Sequence, residues 1–291
     1  MQILPMSRVV TFAAVAATAL AACSSGGTTS AQESGPSPAS SAGHVATAAG
    51  HVATAAAVIK NVSSQAGRAT SATVVLTTQT TGNLSSSMHG TMKIRTHPAV
   101  AIEVDITSMS AGGKPVPGGM HEILTPAGIY LKLRSLATLS GKPWIGITTT
   151  QLNGLTGNAF AGLTTELRQQ DPLSAARMLG ASKDVQKAGT ATIDGVPATH
   201  YHGTYAFSSA YVLLTPALQK LMRHYAAAFR VGAITFDVWV DAQNNIRKLI
   251  ESYDSKLAGH VLITMRFTSI NKPVSIKAPP PSEVGGLPSL G

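Results

Sequence analysis

From Ser71 onward, apolar and polar residues alternate with a period of two. Met88, Met92 and Ile94 alternate with His89, Lys93 and Arg95, and Val100, Ile102, Val104 and Ile106 share a face opposite Ala101, Glu103 and Asp105. Ile129, Leu131 and Leu133 oppose Tyr130, Lys132 and Arg134, after the turn-forming Thr125-Pro126-Ala127-Gly128. Further on, Ile234, Phe236, Val238 and Val240 oppose Thr235, Asp237, Trp239 and Asp241, and Val261, Ile263, Met265 and Phe267 oppose Leu262, Thr264, Arg266 and Thr268. Strict alternation predicts strands with one buried and one wet face, hence an antiparallel sheet covered on one side only.

A few helices in the middle of the chain supply the cover. Leu152, Leu155, Leu163 and Leu167 fall near one side of a helix over 151–170, and Asp171-Pro172 starts a short helix through Leu179. Another helix is predicted around Thr54 to Ser64. The clearest opens at Thr215-Pro216, a capping residue followed by proline at the first helical position. It carries Leu218, Leu221, Met222, Tyr225 and Phe229 against Lys220, Arg223 and His224. A sheet of eight or more strands tends to curl, and a strongly curved one encloses more space than its own side chains fill. The expected fold is therefore α+β: a curved antiparallel β-sheet with helices packed on its concave face. Such a cavity would be a ligand site and, if apolar, would take lipid.

The N-terminus adds an address. MQILPMSR carries one basic side chain, Arg8, and VVTFAAVAATALAA carries no charge, which is the pattern of a signal peptide. The apolar run stops short of the roughly twenty residues a spanning helix needs. It ends in Leu20-Ala21-Ala22-Cys23, which resembles the lipobox of bacterial lipoproteins. That resemblance implies lipidation of Cys23, with diacylglycerol on the thiol, cleavage before it and acylation, as by palmitate, of the new amino group. Two chains give stable anchoring where one gives reversible binding. Cys23 is the sole cysteine, so no intrachain disulfide is available.

Residues 24–42, SSGGTTSAQESGPSPASSA, hold too little apolar surface to fold and read as a flexible tether. GHVATAA then occurs twice in succession, at 43–49 and 50–56, too short a repeat for a solenoid. Formal net charge is +9, but charged residues make up only 12% of the chain and form no basic run. Nucleic acid is therefore not an expected partner, whereas a mild positive balance suits work beside anionic lipid head groups.

Several stretches together resemble a known family. They are Asp171-Pro172-Leu173, the segment from Gly189 through Thr190-Ala191-Thr192-Ile193-Asp194-Gly195-Val196-Pro197 to Gly203, Val238-Trp239-Val240-Asp241, Ile246-Arg247-Lys248, and Ile276-Lys277-Ala278-Pro279-Pro280. The pattern is similar to the actinobacterial LppX/LprG-type lipoproteins, which share the half-barrel of the carriers LolA and LolB. The resemblance implies a hydrophobic pocket for acylated lipids or glycolipids, and no catalytic residue. Candidate ligand-binding positions are Val100, Ile102, Val104, Ile129, Leu131, Leu218, Leu221, Met222, Tyr225, Phe236, Val238, Ile263 and Met265. The expected organisation is a signal peptide over 1–22, lipidated Cys23 and tether over 23–53, a LolA-like domain over 54–284 and a tail over 285–291.

Catalytic chemistry is not indicated. No Gly-x-Ser-x-Gly is present, and Gly141-Lys142-Pro143 has proline where a phosphate loop needs Ser or Thr. His200-x-His202 puts two imidazoles on one strand face, but zinc requires a third ligand and none is near in sequence. Asp237 and Asp241, four residues apart on a strand, would stand about 13 Å from each other, beyond glycosidase spacing. Trp144, Tyr201, Tyr205 and Phe207 suit core packing, and equally a pocket mouth. The expectation is a non-enzymatic carrier or chaperone without cofactor or metal, held by lipid on the extracytoplasmic face of the cell membrane. A surface-anchored interaction or sensory domain of the same fold, with a filled core and no cargo, is the alternative.

Overall fold

The computed structural model describes residues 54–82, 84–134, 141–151, 174–214, 219 and 231–286. Cys23, the tether, most of the predicted helix over 151–170 and the helix opening at Thr215-Pro216 lie outside them.

The first helix, α1 (Ala55–Ala66), is capped by Thr54, whose Oγ1 accepts from the Ala57 N–H at 3.2 Å. It buries Ile59, Val62 and Ala66, three and four residues apart. Seven strands follow: β1 (Ser71–Thr81), β2 (Ser86–Arg95), β3 (Ala101–Ala111), β4 (Lys114–Pro115), β5 (Met120–Thr125), β6 (Gly128–Lys132) and β7 (Trp144–Thr148). A short helix, α2 (Ser174–Met178), continues as a 3₁₀ turn over Leu179–Ala181, where Asp171-Pro172 predicts a short helix through Leu179. Then come β8 (Gln186–Ile193), β9 (Val196–Ala206), α3 (Phe207–Ala210), β10 (Ala233–Asp241), β11 (Ile246–Ser255), β12 (Gly259–Ile270) and β13 (Val284–Gly285).

The strands form one unclosed, curved sheet in the order β13-β7-β6-β5-β3-β2-β1-β12-β11-β10-β9-β8, with β4 on β3. It consists of two antiparallel meanders, β1–β7 and β8–β12, joined by pairing of β1 with β12. Along that seam Leu76 lies opposite Met265. The antiparallel sheet is what strand alternation predicts, and the half-barrel with helices on one face is what the family resemblance implies. The two helices dock on each other as well as on the sheet, and the Ser63 hydroxyl donates to the Arg177 carbonyl at 2.8 Å. Between β8 and β9 the chain reverses at Asp194-Gly195, with φ of 49° and 79°. Positive φ at both positions is what a tight hairpin matched to strand twist requires.

Two expectations need correction. The sheet is not covered on one side only, because the chain after β12 runs back across the outer face and ends in β13, parallel to β7. There Ala101, Ile123, Trp144 and Ile276 are buried together, with Tyr130, Val274 and Val284 against them. Ala101 is therefore second-face core rather than part of a wet face. Asp241, assigned by alternation to the wet face with Asp237, is also buried. β10 keeps its alternation through Val240, the extra residue at the register shift being Arg247 on β11, and the Asp241 carboxylate is buried as it accepts from the Gln243 and Asn245 N–H groups. Arg247 closes the turn with Nε at 2.8 Å.

Candidate functional site

Cross-strand registers assemble the helix-covered face into rows of neighbouring side chains. In the first meander Met92, Val104, Glu122, Leu131 and Ile145 lie in one row. The next holds Ile94, Ile102, Leu124, Ile129 and Ile147. In the second meander Leu76, Met265, Leu249, Val238 and Tyr201 form a row, and Thr78, Ile263, Glu251, Phe236 and Gly203 another. The face is therefore apolar throughout, apart from Thr78 and two carboxyl groups in the described rows.

The two halves are packed differently. Phe236 and Val238 are wholly out of solvent, and Met265 and Ile263 nearly so, in one core with Ile59, Val62 and Leu179. The Phe236 ring rests on Gly203, where an added Cβ would meet it at 2.8 Å. These candidate ligand positions, and the aromatic set Tyr201, Tyr205 and Phe207, are closed interior. In the first meander Ile102, Ile129 and Ile147 are only half-buried around Leu124, and Leu131 packs half-buried at the margin of the main core. Val104 is buried within that core, and Val100 is buried just ahead of β3. Leu218, Leu221, Met222 and Tyr225 lie outside the described residues, as does Cys23.

The carboxyl groups are what periodicity passed over. Glu251 is buried between Leu249 and Tyr253 on its own strand, and its Oε1 accepts from the Tyr205 hydroxyl at 2.6 Å. Burial pushes its carboxyl up to about 7 against the partial relief of that bond. Glu122 is flanked by Met120 and Leu124 along β5 and by Val104 and Leu131 across it. Its Oε2 is out of solvent contact with no hydrogen-bond partner, and burial raises this carboxyl, too, to about 7. Thr78 Oγ1 is likewise buried without a partner. The signal in the sequence was available: Glu122 and Glu251 stand in step with buried apolar residues of their own strands.

The outer face carries the other polar features. His200 Nε2 and His202 Nδ1 lie 2.7 and 3.1 Å from the same oxygen of Asp237, across the β9–β10 ladder. His200 stacks on Trp239 at 4.3 Å between centroids, and Lys248 Nζ lies 4.7 Å from that ring. Among the described residues no group of three or more His, Cys, Asp or Glu is arranged to hold a metal ion. An open groove of about 420 Å³ lies on this outer face beneath the β8–β9 turn, lined by Val75, Thr77, His89, Lys248 and Arg266 among others. It shares no residue with the predicted ligand positions. Arg266 closes on Asp194 of the turn at 3.0 Å. No helix among the described residues is long and apolar enough to cross a membrane.

No protein-family model matches the chain. An uncharacterised 31.2 kDa protein of Streptomyces griseus is 32% identical over 127 residues, 41% of this chain and 40% of its own. A Streptomyces coelicolor protein with a provisional lipoprotein description is 23% identical over 152 residues, 52% of this chain and 45% of its own. The matched stretch thus spans less than half the length of either relative. Among solved structures, LprF from Mycobacterium bovis aligns with 77% of this chain and 96% of its own at 15% identity and a TM-score of 0.50. The Mycobacterium tuberculosis lipoprotein LppX covers the same share of this chain and 98% of its own, at 19% identity and a TM-score of 0.43. The chain has the half-barrel fold of the actinobacterial LppX/LprG-type lipoproteins, as the sequence resemblance implies.

Proposed function

We propose that this chain is a membrane-anchored lipid-binding protein, a non-enzymatic carrier or chaperone that shields acyl chains on the extracytoplasmic face of the cell membrane. The observation that carries this reading is the apolar, only half-buried stretch of the inner sheet face formed by Ile102, Ile129, Leu131 and Ile147. The driving force is desolvation, about 0.8 kcal/mol for each methylene moved from water. The lipobox-like Leu20-Ala21-Ala22-Cys23 and the lipoprotein description of the Streptomyces coelicolor relative support the anchor. One observation favours a cargo-free interaction domain: the β9–β12 part of the face is closed core, with Phe236 and Val238 fully buried. The cargo site is accordingly assigned to the β3–β7 half.

Full chain carrying Cys23→Ser, which cannot take the covalent lipid, is purified gently and its organic extract examined by mass spectrometry. Stoichiometric lipid is expected. Protein that emerges clean and takes up no added lipid overturns the carrier. Ile129→Trp should lower lipid content severalfold with an unchanged circular dichroism spectrum, because Ile129 is half-exposed where Val238 is packed. For the anchor, an alkyne palmitate analogue should label the wild type and not Cys23→Ser.

A further inference from the structure

The carrier reading leaves a carboxyl group in its own binding face to be explained. Glu122 lies in the half-buried part of that face, and its four nearest neighbours by register and strand position are Met120, Leu124, Val104 and Leu131. It makes no hydrogen bond or ion pair among the described residues, and Oε2 is sealed from water. A buried polar atom without a partner forfeits its hydration with nothing in return, so each such group in a folded protein calls for an explanation. Structural pairing does not account for Glu122 as it does for Glu251, which Tyr205 satisfies.

Resting on the carrier reading, we propose that Glu122 is the polar subsite of the cargo face, where its protonated carboxyl donates a hydrogen bond to the ester carbonyl of an acylated ligand. An ester suits the surroundings. The acyl chain on the carbonyl would cover apolar residues along β5 and β6, and a neutral acceptor can be buried beside a neutral acid without importing charge. Burial keeps the proton on Glu122 up to about pH 7. Facing it along its row are Val104 and Met92 on one side and Leu131 and Ile145 on the other, none of which titrates. The affinity contributed by this bond is present while the carboxyl is protonated and is lost as pH rises through its value in the folded protein.

The test compares 1,2-dioleoylglycerol with its diether analogue 1,2-di-O-oleylglycerol, which keeps the chains and the hydroxyl but lacks both carbonyls. Binding is measured by displacement of a fluorescent acyl probe from the full Cys23→Ser chain. At pH 6 the ester is expected to bind about fivefold more tightly than the ether, the worth of one neutral hydrogen bond. The preference should shrink at pH 8.5. Glu122→Gln, which keeps an N–H donor, should hold the preference at both pH values, and Glu122→Leu should abolish it while still binding both lipids. An ester preference that survives in Glu122→Leu, or is absent from the parent chain at pH 6, overturns the subsite and leaves the carrier standing. Failure of the parent chain to bind either lipid or the probe overturns both.

Discussion

At the scale of single residues, Glu251 ties stability to pH. Its carboxyl ionises near 4.5 in an exposed setting and near 7 in the folded protein. Below pH 4.5 both states hold the proton, and burial of the neutral acid against Tyr205 is tolerated. As pH rises from there, the unfolded chain releases its proton first, so stability present in acid is lost progressively up to about pH 7 and stays lost above it. A shift of this size corresponds to about 3 kcal/mol. Glu251→Gln keeps an acceptor for the Tyr205 hydroxyl and removes the ionisation. Urea unfolding at pH 5 and pH 8 should show the wild type losing about 2–3 kcal/mol more than the variant between the two. Part of the decline should persist in Glu251→Gln, because Glu122 is raised in the same direction. Asp184, held down to about 2 by the Thr204 hydroxyl and N–H, acts only in stronger acid and does not enter this window. Equal losses in the two proteins would mean that the carboxyl is not ionising inside the fold.

At the scale of elements, the β10–β11 hairpin shows where alternation reads correctly and where it fails. Ile234, Phe236 and Val238 fall on the buried face as their period predicts, because each residue of a regular strand flips relative to the last. Val240 keeps the period, and Asp241, level with the buried Ala198 of β9, is buried all the same, so alternation gives its side of the strand and not its burial. The real determinant is local: a short carboxylate can bond N–H groups two and four residues on, and Asn244, at φ 60°, completes the reversal. Burial works to raise the Asp241 carboxyl, but the Asn245 N–H and the Arg247 side chain hold it below its ordinary value. Asp241→Ala removes the buried acceptor that holds these donors at a partly exposed turn and should cost about 1–3 kcal/mol in urea unfolding, whereas Asp237→Ala on the outer face should cost well under 1. The buried outer face was hidden for a different reason. Ala101, Ile123 and Trp144 are covered by Val274, Ile276 and Val284, more than a hundred residues later in sequence, and no periodicity within a strand reports on what the far end of the chain will cover. Glu122 was passed over because apolar patterning counts hydrophobic residues and discards the exception.

At the scale of the whole molecule, the sheet behaves as one unit only as far as its seam holds. The meanders β1–β7 and β8–β12 are each built from neighbours in sequence, and the ladder joining them pairs the first long strand with the last. That contact spans nearly the whole described chain, so its loop-closure entropy is recovered only when both halves are in place. The core does not respect the division: Ile59 and Val62 of α1 sit in one cluster with Val104 from the first meander and Phe236 and Leu249 from the second. A shared core implies a single cooperative unfolding transition, and a seam held only by strand pairing implies two. Leu76 distinguishes the cases, since it is fully buried at the seam opposite Met265. Leu76→Ala should destabilise by about 2–5 kcal/mol through lost burial and an unfilled cavity. If the core is shared, hydrogen-exchange protection in this variant falls by a similar amount in β2–β3 and in β10–β11, far to either side of the substitution. Protection lost from one meander and kept in the other would show that the halves fold separately, and that a ligand seated on β3–β7 stabilises only its own half.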